Sequence, residues 1–179
     1  MGTAKTCEKQ MFYENYPKGM VLVSNAFNFA IYLLGVYLLW PFGYLAVISY
    51  LLLCAFVHVR TMVGGCVNCY YYGKLCFSGQ GALAAKLFKK GDPKKFTELP
   101  ASWIIVLPDF MVSILPVVVG VISLLRSFDW AVLAAVAALS LLSTAGNAVV
   151  HLSMACKYCK QRKLGCPACE LFGGKDKKK

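Results

Sequence analysis

Cysteine is the residue type through which this chain is best equipped to do chemistry. Nine cysteines occur in 179 residues. Seven of them form two sets with the spacing C-x2-C-x6-C, and the second set carries a further C-x2-C pair. The sets are Cys66, Cys69, Cys76 and Cys156, Cys159, Cys166, Cys169. Two thiolates two residues apart bind one ion from a single tight turn, so the repeated spacing predicts a metal-binding or redox site.

The surroundings of these cysteines favour thiolate chemistry over structural disulfides. Lys74, Lys157 and Lys160 stand close to them in sequence and would stabilise the ionised thiols. Gly73 and Gly165 permit close backbone turns before the third cysteine of each set. Thiols that face the cytosol are kept reduced, so metal ligation or metal-free redox chemistry is expected there.

Three arrangements of a metal site fit the pattern. In the first, the four cysteines of the second set bind one zinc, and the three of the first set bind another with Cys7 or His58 as the fourth ligand. In the second, both sets share thiolates around a two-metal centre. In the third, the thiolates hold one or two iron–sulfur clusters, although the spacing differs from the common ferredoxin runs. Zinc is the expected cofactor and an iron–sulfur cluster the alternative.

The stretch from Cys156 to Cys166, CKYCKQRKLGC, resembles one half of the fungal binuclear zinc-cluster domain. The resemblance covers eleven residues, and its cysteine spacing recurs at Cys66, Cys69 and Cys76. It implies a metal–thiolate core to which both sets contribute. DNA binding is not carried over, and we expect no nucleic-acid partner.

A second group of candidate functional residues is polar and lies inside long apolar stretches. Its members are Asn25, Asn28, His58, Asp109, Asn147 and His151. Polar groups in hydrocarbon are costly and usually face the interior of a helical bundle, so we expect one layer at similar depth. His58 and His151 each precede a cysteine set, which suggests metal ligands or proton carriers; interfacial side chains are the alternative. Two histidines could together serve as axial ligands of a haem, but no other feature of the sequence points to haem, and we do not expect it.

Two long apolar blocks must position these residues. The chain is 59% hydrophobic, with a mean hydropathy of +0.60. A membrane span needs about 20 apolar residues, so the blocks at 19–63 and 102–155 each predict two spans, over about 20–40, 44–62, 103–125 and 130–154. The expected fold is an all-α integral membrane protein, with four transmembrane helices arranged as two repeated helical hairpins, each followed by a cytoplasmic Cys-rich segment.

The basic residues predict the orientation. Of 19 lysines and arginines, 18 fall in the N-terminal segment, the central loop and the tail, and only Arg126 lies between spans on the other side. The positive-inside rule therefore places both termini in the cytoplasm, with the protein in the plasma or inner membrane. The same charge favours anionic lipid headgroups as partners.

These boundaries divide the chain into five segments. They are a cytoplasmic N-terminal segment (1–19), a first transmembrane hairpin (20–62), a cytoplasmic Cys-rich loop with an amphipathic helix from Gly79 to Lys90 (63–102), a second hairpin (103–154), and a cytoplasmic Cys-rich basic tail (155–179).

The sequence contains no nucleotide-binding loop, no nucleophile elbow and no zinc-protease motif. It therefore predicts a small membrane protein with a cytoplasmic, zinc-type metal site of structural or sensing role. A membrane redox protein and a soft-metal-ion transporter are the alternatives. Transport would need a homodimer, because four short spans make a poor channel, and a larger membrane complex is also compatible with the chain.

Overall fold

The structure, a computed structural model, describes residues 12–97 and 103–166. In these residues the backbone is helical apart from loops and one isolated bridge between Tyr13 and Cys159. The helices are α1 (Lys18–Leu39), α2 (Tyr44–Gly64), α3 (Gln80–Leu87), α4 (Pro93–Thr97), α5 (Trp103–Arg126), α6 (Trp130–Leu141), α7 (Asn147–Val150) and α8 (Lys160–Leu164).

Four helical segments are long and apolar enough to cross a membrane. They are Lys18–Phe42, Tyr44–Asn68, Leu107–Arg126 and Trp130–Tyr158. Their outer surfaces carry large apolar side chains, such as Leu45, which is 78% exposed, and Leu125, which is 83% exposed. Apolar surface on this scale belongs in hydrocarbon. The four predicted apolar helices are therefore confirmed, and the described fold is all-helical, with four helices long and apolar enough to span a membrane.

The turns between spans follow from local sequence. A 3-10 turn at Trp40–Phe42 ends the first span, and Gly43 has a φ of 92°, which favours glycine, before α2 begins. At the start of α6, Asp129 Oδ1 accepts a hydrogen bond of 2.7 Å from the Ala131 amide. This side chain caps a helix terminus that would otherwise leave its amides unpaired.

Helices α1 and α5 form a central pair, against which α2 and α6 pack. Gly35 of α1 lies under the Tyr50 ring, and Gly120 of α5 lies against Val136 of α6. Small residues at such points let the helix backbones approach closely. The Tyr50 hydroxyl donates a 3.0 Å hydrogen bond to the Val112 carbonyl, which ties α2 to α5.

The fourth span is not a regular α-helix. Two π-helical turns, Leu142–Gly146 and His151–Ala155, lie on either side of α7, and a 3-10 turn at Cys156–Tyr158 follows. A π turn adds a residue to the helical repeat and rotates everything that follows it. Regular α-helical periodicity therefore does not predict which direction His151 and Cys156 face.

Candidate functional site

The segments that carry the cysteines meet at one end of the helical bundle. We call this the cysteine end and define it as residues 12–17, 65–79 and 155–166. The Tyr16 amide donates a 2.8 Å hydrogen bond to the Leu75 carbonyl, and the Tyr13 amide donates one of 3.1 Å to the Tyr158 carbonyl. The N-terminal segment therefore contacts both the central loop and the segment that follows the fourth span.

Tyrosines hold these three segments together. The Tyr16 hydroxyl donates a 2.6 Å hydrogen bond to the Ala155 carbonyl. The Tyr71 hydroxyl donates to the Tyr13 carbonyl at 2.7 Å and accepts from the Lys160 amide at 3.1 Å. Tyr71 is only 2% exposed. It is therefore a buried packing residue between segments, although a run of three tyrosines suggests an anchor at the membrane interface.

Both C-x2-C turns have the same local backbone structure. Each first cysteine begins a 3-10 turn, and each second cysteine is extended with a φ of −83°. The Cys69 amide donates to the Cys66 carbonyl at 3.3 Å, and the Cys159 amide donates to the Cys156 carbonyl at 3.4 Å. The shared spacing therefore corresponds to a shared backbone turn that presents two sulfurs.

Backbone amides point at several of the sulfur atoms. The Gly81 amide donates a 3.2 Å hydrogen bond to Cys76 Sγ, and the Tyr71 amide donates to Cys69 Sγ. A side chain at Gly81 would collide with the carbonyl groups of Tyr71 and Lys74, so a glycine is needed there. Amide donors stabilise a thiolate relative to a thiol, and this arrangement suits sulfur atoms that ionise when they bind a cation.

Gln161 connects the two cysteine sets directly. Its side chain is buried at 4% exposure. Its Oε1 atom accepts a 2.8 Å hydrogen bond from the Tyr70 amide and lies 3.7 Å from the donor Cys69 Sγ. Its Nε2 atom donates to the Gly165 carbonyl at 3.2 Å. One amide side chain from the second set thus satisfies groups of the first set.

Thiols of the second set lie near enough to Cys69 of the first set to affect its ionisation. Burial raises the pKa of the Cys69 thiol to about 12, and the neighbouring thiols of Cys159, Cys76 and Cys166 contribute to the rise. Burial likewise raises the pKa of Cys159 to about 11, with Cys166 and Cys156 contributing. Both thiols are therefore protonated at neutral pH. No disulfide joins the described cysteines.

The described residues contain no group of three or more His, Cys, Asp or Glu side chains in an arrangement that could hold a metal ion. Thiols donate instead to amide oxygens, as Cys66 does to Gln80 at 3.7 Å. Binding an ion between the described sulfurs would require these side chains to rotate toward each other. Cys7 and Cys169, which sequence reasoning offered as further ligands, lie outside the described residues.

The polar residues of the spans have separate partners. His58 Nε2 lies 2.8 Å from the Tyr32 hydroxyl, and His58 Nδ1 lies 2.8 Å from Gln80 Nε2. The ring of His151 lies 6.2 Å from that of Phe77, measured between centroids. Tyr32, His58, Gln80 and Cys66 thus form a continuous hydrogen-bonded chain from the middle of α1 to a thiol.

The remaining polar residues are spread over several surfaces. Asp109 lies 4.0 Å from Arg60 as an ion pair between α5 and α2. Asn25 and Asn28 line an open groove between α1 and α2. Asn147 begins α7, between the two π-helical turns. These four residues therefore have different surroundings, and their common depth stays a prediction.

Sequence reasoning did not single out Gln80, Gln161 or Tyr32. Glutamine in a loop or at a helix start has no distinctive spacing, and Tyr32 reads as an ordinary apolar position within a span. The structure reveals the roles of Gln161 and Tyr32 through contacts between distant residues. Gln161 bonds Tyr70 across 91 residues, and Tyr32 contacts His58 across 26.

Comparison with protein-family models, curated proteins and solved structures finds no match to this chain. What the fold and the site themselves define is a small all-helical protein with four helices long and apolar enough to span a membrane and one thiol-rich end.

Proposed function

We propose that this protein binds a thiophilic divalent metal ion, zinc in the first instance, through both cysteine sets at the cytoplasmic side of a membrane. The observation that carries the proposal is the meeting of the two sets in one buried end. The Cys159 thiol of the second set contributes to the raised pKa of Cys69 in the first set, although the two are far apart in the chain. No disulfide among the described cysteines accounts for this convergence.

The pKa values of the thiols favour a metal over metal-free dithiol exchange. A thiol exchanges disulfides as the thiolate, and pKa values of about 12 for Cys69 and about 11 for Cys159 leave little thiolate at neutral pH. A bound cation offsets the cost of burying the charge and displaces the protons. The amides that point at Cys69 and Cys76 then stabilise the ionised sulfurs.

The metal would have a structural or sensing role at the point where the two halves of the chain meet. The matching C-x2-C turns fit a pair of repeated hairpins, each contributing one cysteine set. Six cysteines suit a shared two-metal centre, with Cys169, His58 and His151 as further candidate ligands. The basic residues support a cytoplasmic location for this end and attraction to anionic headgroups.

The test is metal analysis of protein purified from membranes without oxygen. We expect a colourless protein that contains zinc, and we expect Cys69→Ser and Cys159→Ser to lose most of it. Cys54→Ser is the matched control, because Cys54 is buried in α2 within the core that contains Tyr50. It should retain the metal. Wild-type protein without bound metal would refute the proposal. Visible absorption together with bound iron would identify the cofactor as an iron–sulfur cluster instead of zinc.

A membrane redox protein is the second candidate function. The chain of hydrogen bonds from Tyr32 through His58 and Gln80 to Cys66 favours it, since it couples a thiol, through an amide, to an imidazole, a group that accepts and releases protons. A change in the oxidation state of Cys66 on mild oxidation of membranes, read by mass spectrometry, would support this candidate.

A further inference from the structure

An open groove runs along α1 where it faces α2. Its walls include the apolar side chains of Leu22 and Phe29, and its polar groups are those of Asn25, Asn28, Tyr32 and His58. Asn25, Asn28 and Tyr32 follow one another at helical spacing, so they form a single polar stripe on α1.

The stripe extends deep into the membrane. Helix α1 begins at Lys18. At about 1.5 Å per residue, Asn25 lies about 10 Å and Tyr32 about 21 Å along the helix axis, within a hydrocarbon layer of about 30 Å. The stripe therefore leads from the region below the headgroups to the middle of the bilayer.

Part of the hydrogen-bonding capacity of the stripe has no partner among residues 12–97 and 103–166. Asn25 Nδ2 donates to the Val21 carbonyl at 2.9 Å, which leaves its side-chain oxygen available. The Asn28 side chain has no hydrogen-bond partner among the residues that the structure describes, and it is half-buried. An amide in hydrocarbon without a partner is costly, so the groove favours an occupant that carries polar atoms to this depth.

We propose that this groove binds the ring headgroup of a membrane quinone. A quinone ring is flat and largely apolar, and its carbonyl oxygens accept hydrogen bonds of the kind that Asn28 Nδ2 can donate. Quinones dissolve in the hydrocarbon and reach the depth of Tyr32, whereas a phospholipid phosphate stays at the interface. The ring would lie against Phe29, with one carbonyl toward Asn28 and the other toward the pair of Tyr32 and His58.

The position of the groove adds a second argument for a headgroup that exchanges protons. His58, at one wall, contacts Gln80 at 2.8 Å, and Gln80 accepts from Cys66. A quinone bound at Tyr32 would thus be linked to the Cys66 thiol through Tyr32, His58 and Gln80. Binding itself requires only the residues of α1 and α2, so it does not depend on whether the thiols hold a metal.

The test uses the full chain in phosphatidylcholine nanodiscs free of native quinone. A photoreactive azidoquinone is the probe, and a decyl benzoquinone is the competitor from which a dissociation constant is obtained. We expect saturable labelling of peptides that contain residues 22–32 or His58. One lost hydrogen bond corresponds to about a 2- to 10-fold weaker binding, which is the change expected for Asn28→Leu.

Asn147→Leu is the matched control, because it makes the same substitution in the fourth span, away from the groove. It should leave the dissociation constant unchanged. The proposal is overturned if labelling is not saturable, if decanol displaces the probe as well as the benzoquinone does, or if both variants weaken binding equally. The zinc content of both variants should equal that of the wild type, which separates this test from that of the metal site.

Discussion

The Gln161 side chain offers the sharpest test of how the two cysteine sets are joined. Replacing it by leucine keeps the volume nearly constant and removes the amide. The Tyr70 amide then loses an acceptor at 2.8 Å, and the Gly165 carbonyl loses a donor at 3.2 Å. Only the contact with Tyr70 joins the two cysteine sets, because Gly165 lies in the same segment as Gln161.

The magnitude follows from the group of the other segment that is left without a partner, the Tyr70 amide. A buried polar group that loses its hydrogen bond costs about 1–3 kcal/mol. Tyr70 is only half-buried, so we take the lower part of that range, about 1–2 kcal/mol. The closed state of the cysteine end should weaken by this amount, which increases its open fraction by about 5- to 30-fold.

The assay is the rate of maleimide labelling at Cys159, quantified by mass spectrometry of metal-free protein. When closing is faster than labelling, the rate is proportional to the open fraction. Gln161→Leu should therefore label about 5- to 30-fold faster at this cysteine.

Gln80→Leu is the matched control. Gln80 forms hydrogen bonds with His58 and Cys66, and none joins it to residues 155–166, the described part of the tail. This variant should therefore leave Cys159 labelling unchanged and accelerate labelling of Cys66. The reasoning fails if Gln161→Leu labels Cys159 at the wild-type rate, or if both variants accelerate it equally.

Three further predictions concern the metal, the helix packing and the topology. Because Cys69 and Cys159 have pKa values of about 12 and about 11, they are protonated at neutral pH, and protons compete with the metal. The affinity of the protein for the metal, measured by competition with a chelator, should therefore rise about tenfold per pH unit for each thiol that ionises. An affinity that does not change between pH 6 and 9 would contradict this. Gly120→Ala brings a methyl within 2.5 Å of Val136 and should destabilise the protein by about 1–3 kcal/mol in thermal unfolding. Gly64→Ala is the control, because a methyl there has nothing within 4 Å, and it should leave the unfolding temperature unchanged. Equal destabilisation by the two substitutions would argue against the α5–α6 contact. Ser127→Cys should react with an impermeant maleimide from the membrane side opposite to the cysteine end; reaction from the same side would refute the four-span topology.

The membrane spans could be predicted from sequence because their signal is local. Hydrocarbon requires about 20 consecutive apolar residues per span, and no tertiary contact is needed to recognise them. The turns were equally local, since Gly43 adopts a φ that favours glycine and Asp129 caps the helix it precedes. The spacing of the cysteines likewise predicted two matching C-x2-C turns.

The connections between segments could not be predicted in the same way. The burial of Tyr71 depends on Tyr13 and Lys160, which lie 58 and 89 residues away in the chain. Two π-helical turns shift the register of the fourth span. The sequence therefore predicts how far along a span a polar residue lies, and the packing of the helices defines which neighbour its side chain faces.

The sequence by itself thus determined that the chain has four helices long and apolar enough to span a membrane and two equivalent thiol turns, because hydropathy and spacing are properties of contiguous residues. Tertiary structure decided that both turns meet beneath Tyr16 and Tyr71, and that Gln161 joins them. It also decided that His58 contacts Tyr32 and Gln80. The physical reason is that these contacts depend on how α1, α2 and α5 pack, and a glutamine or tyrosine finds its partner only after that packing exists.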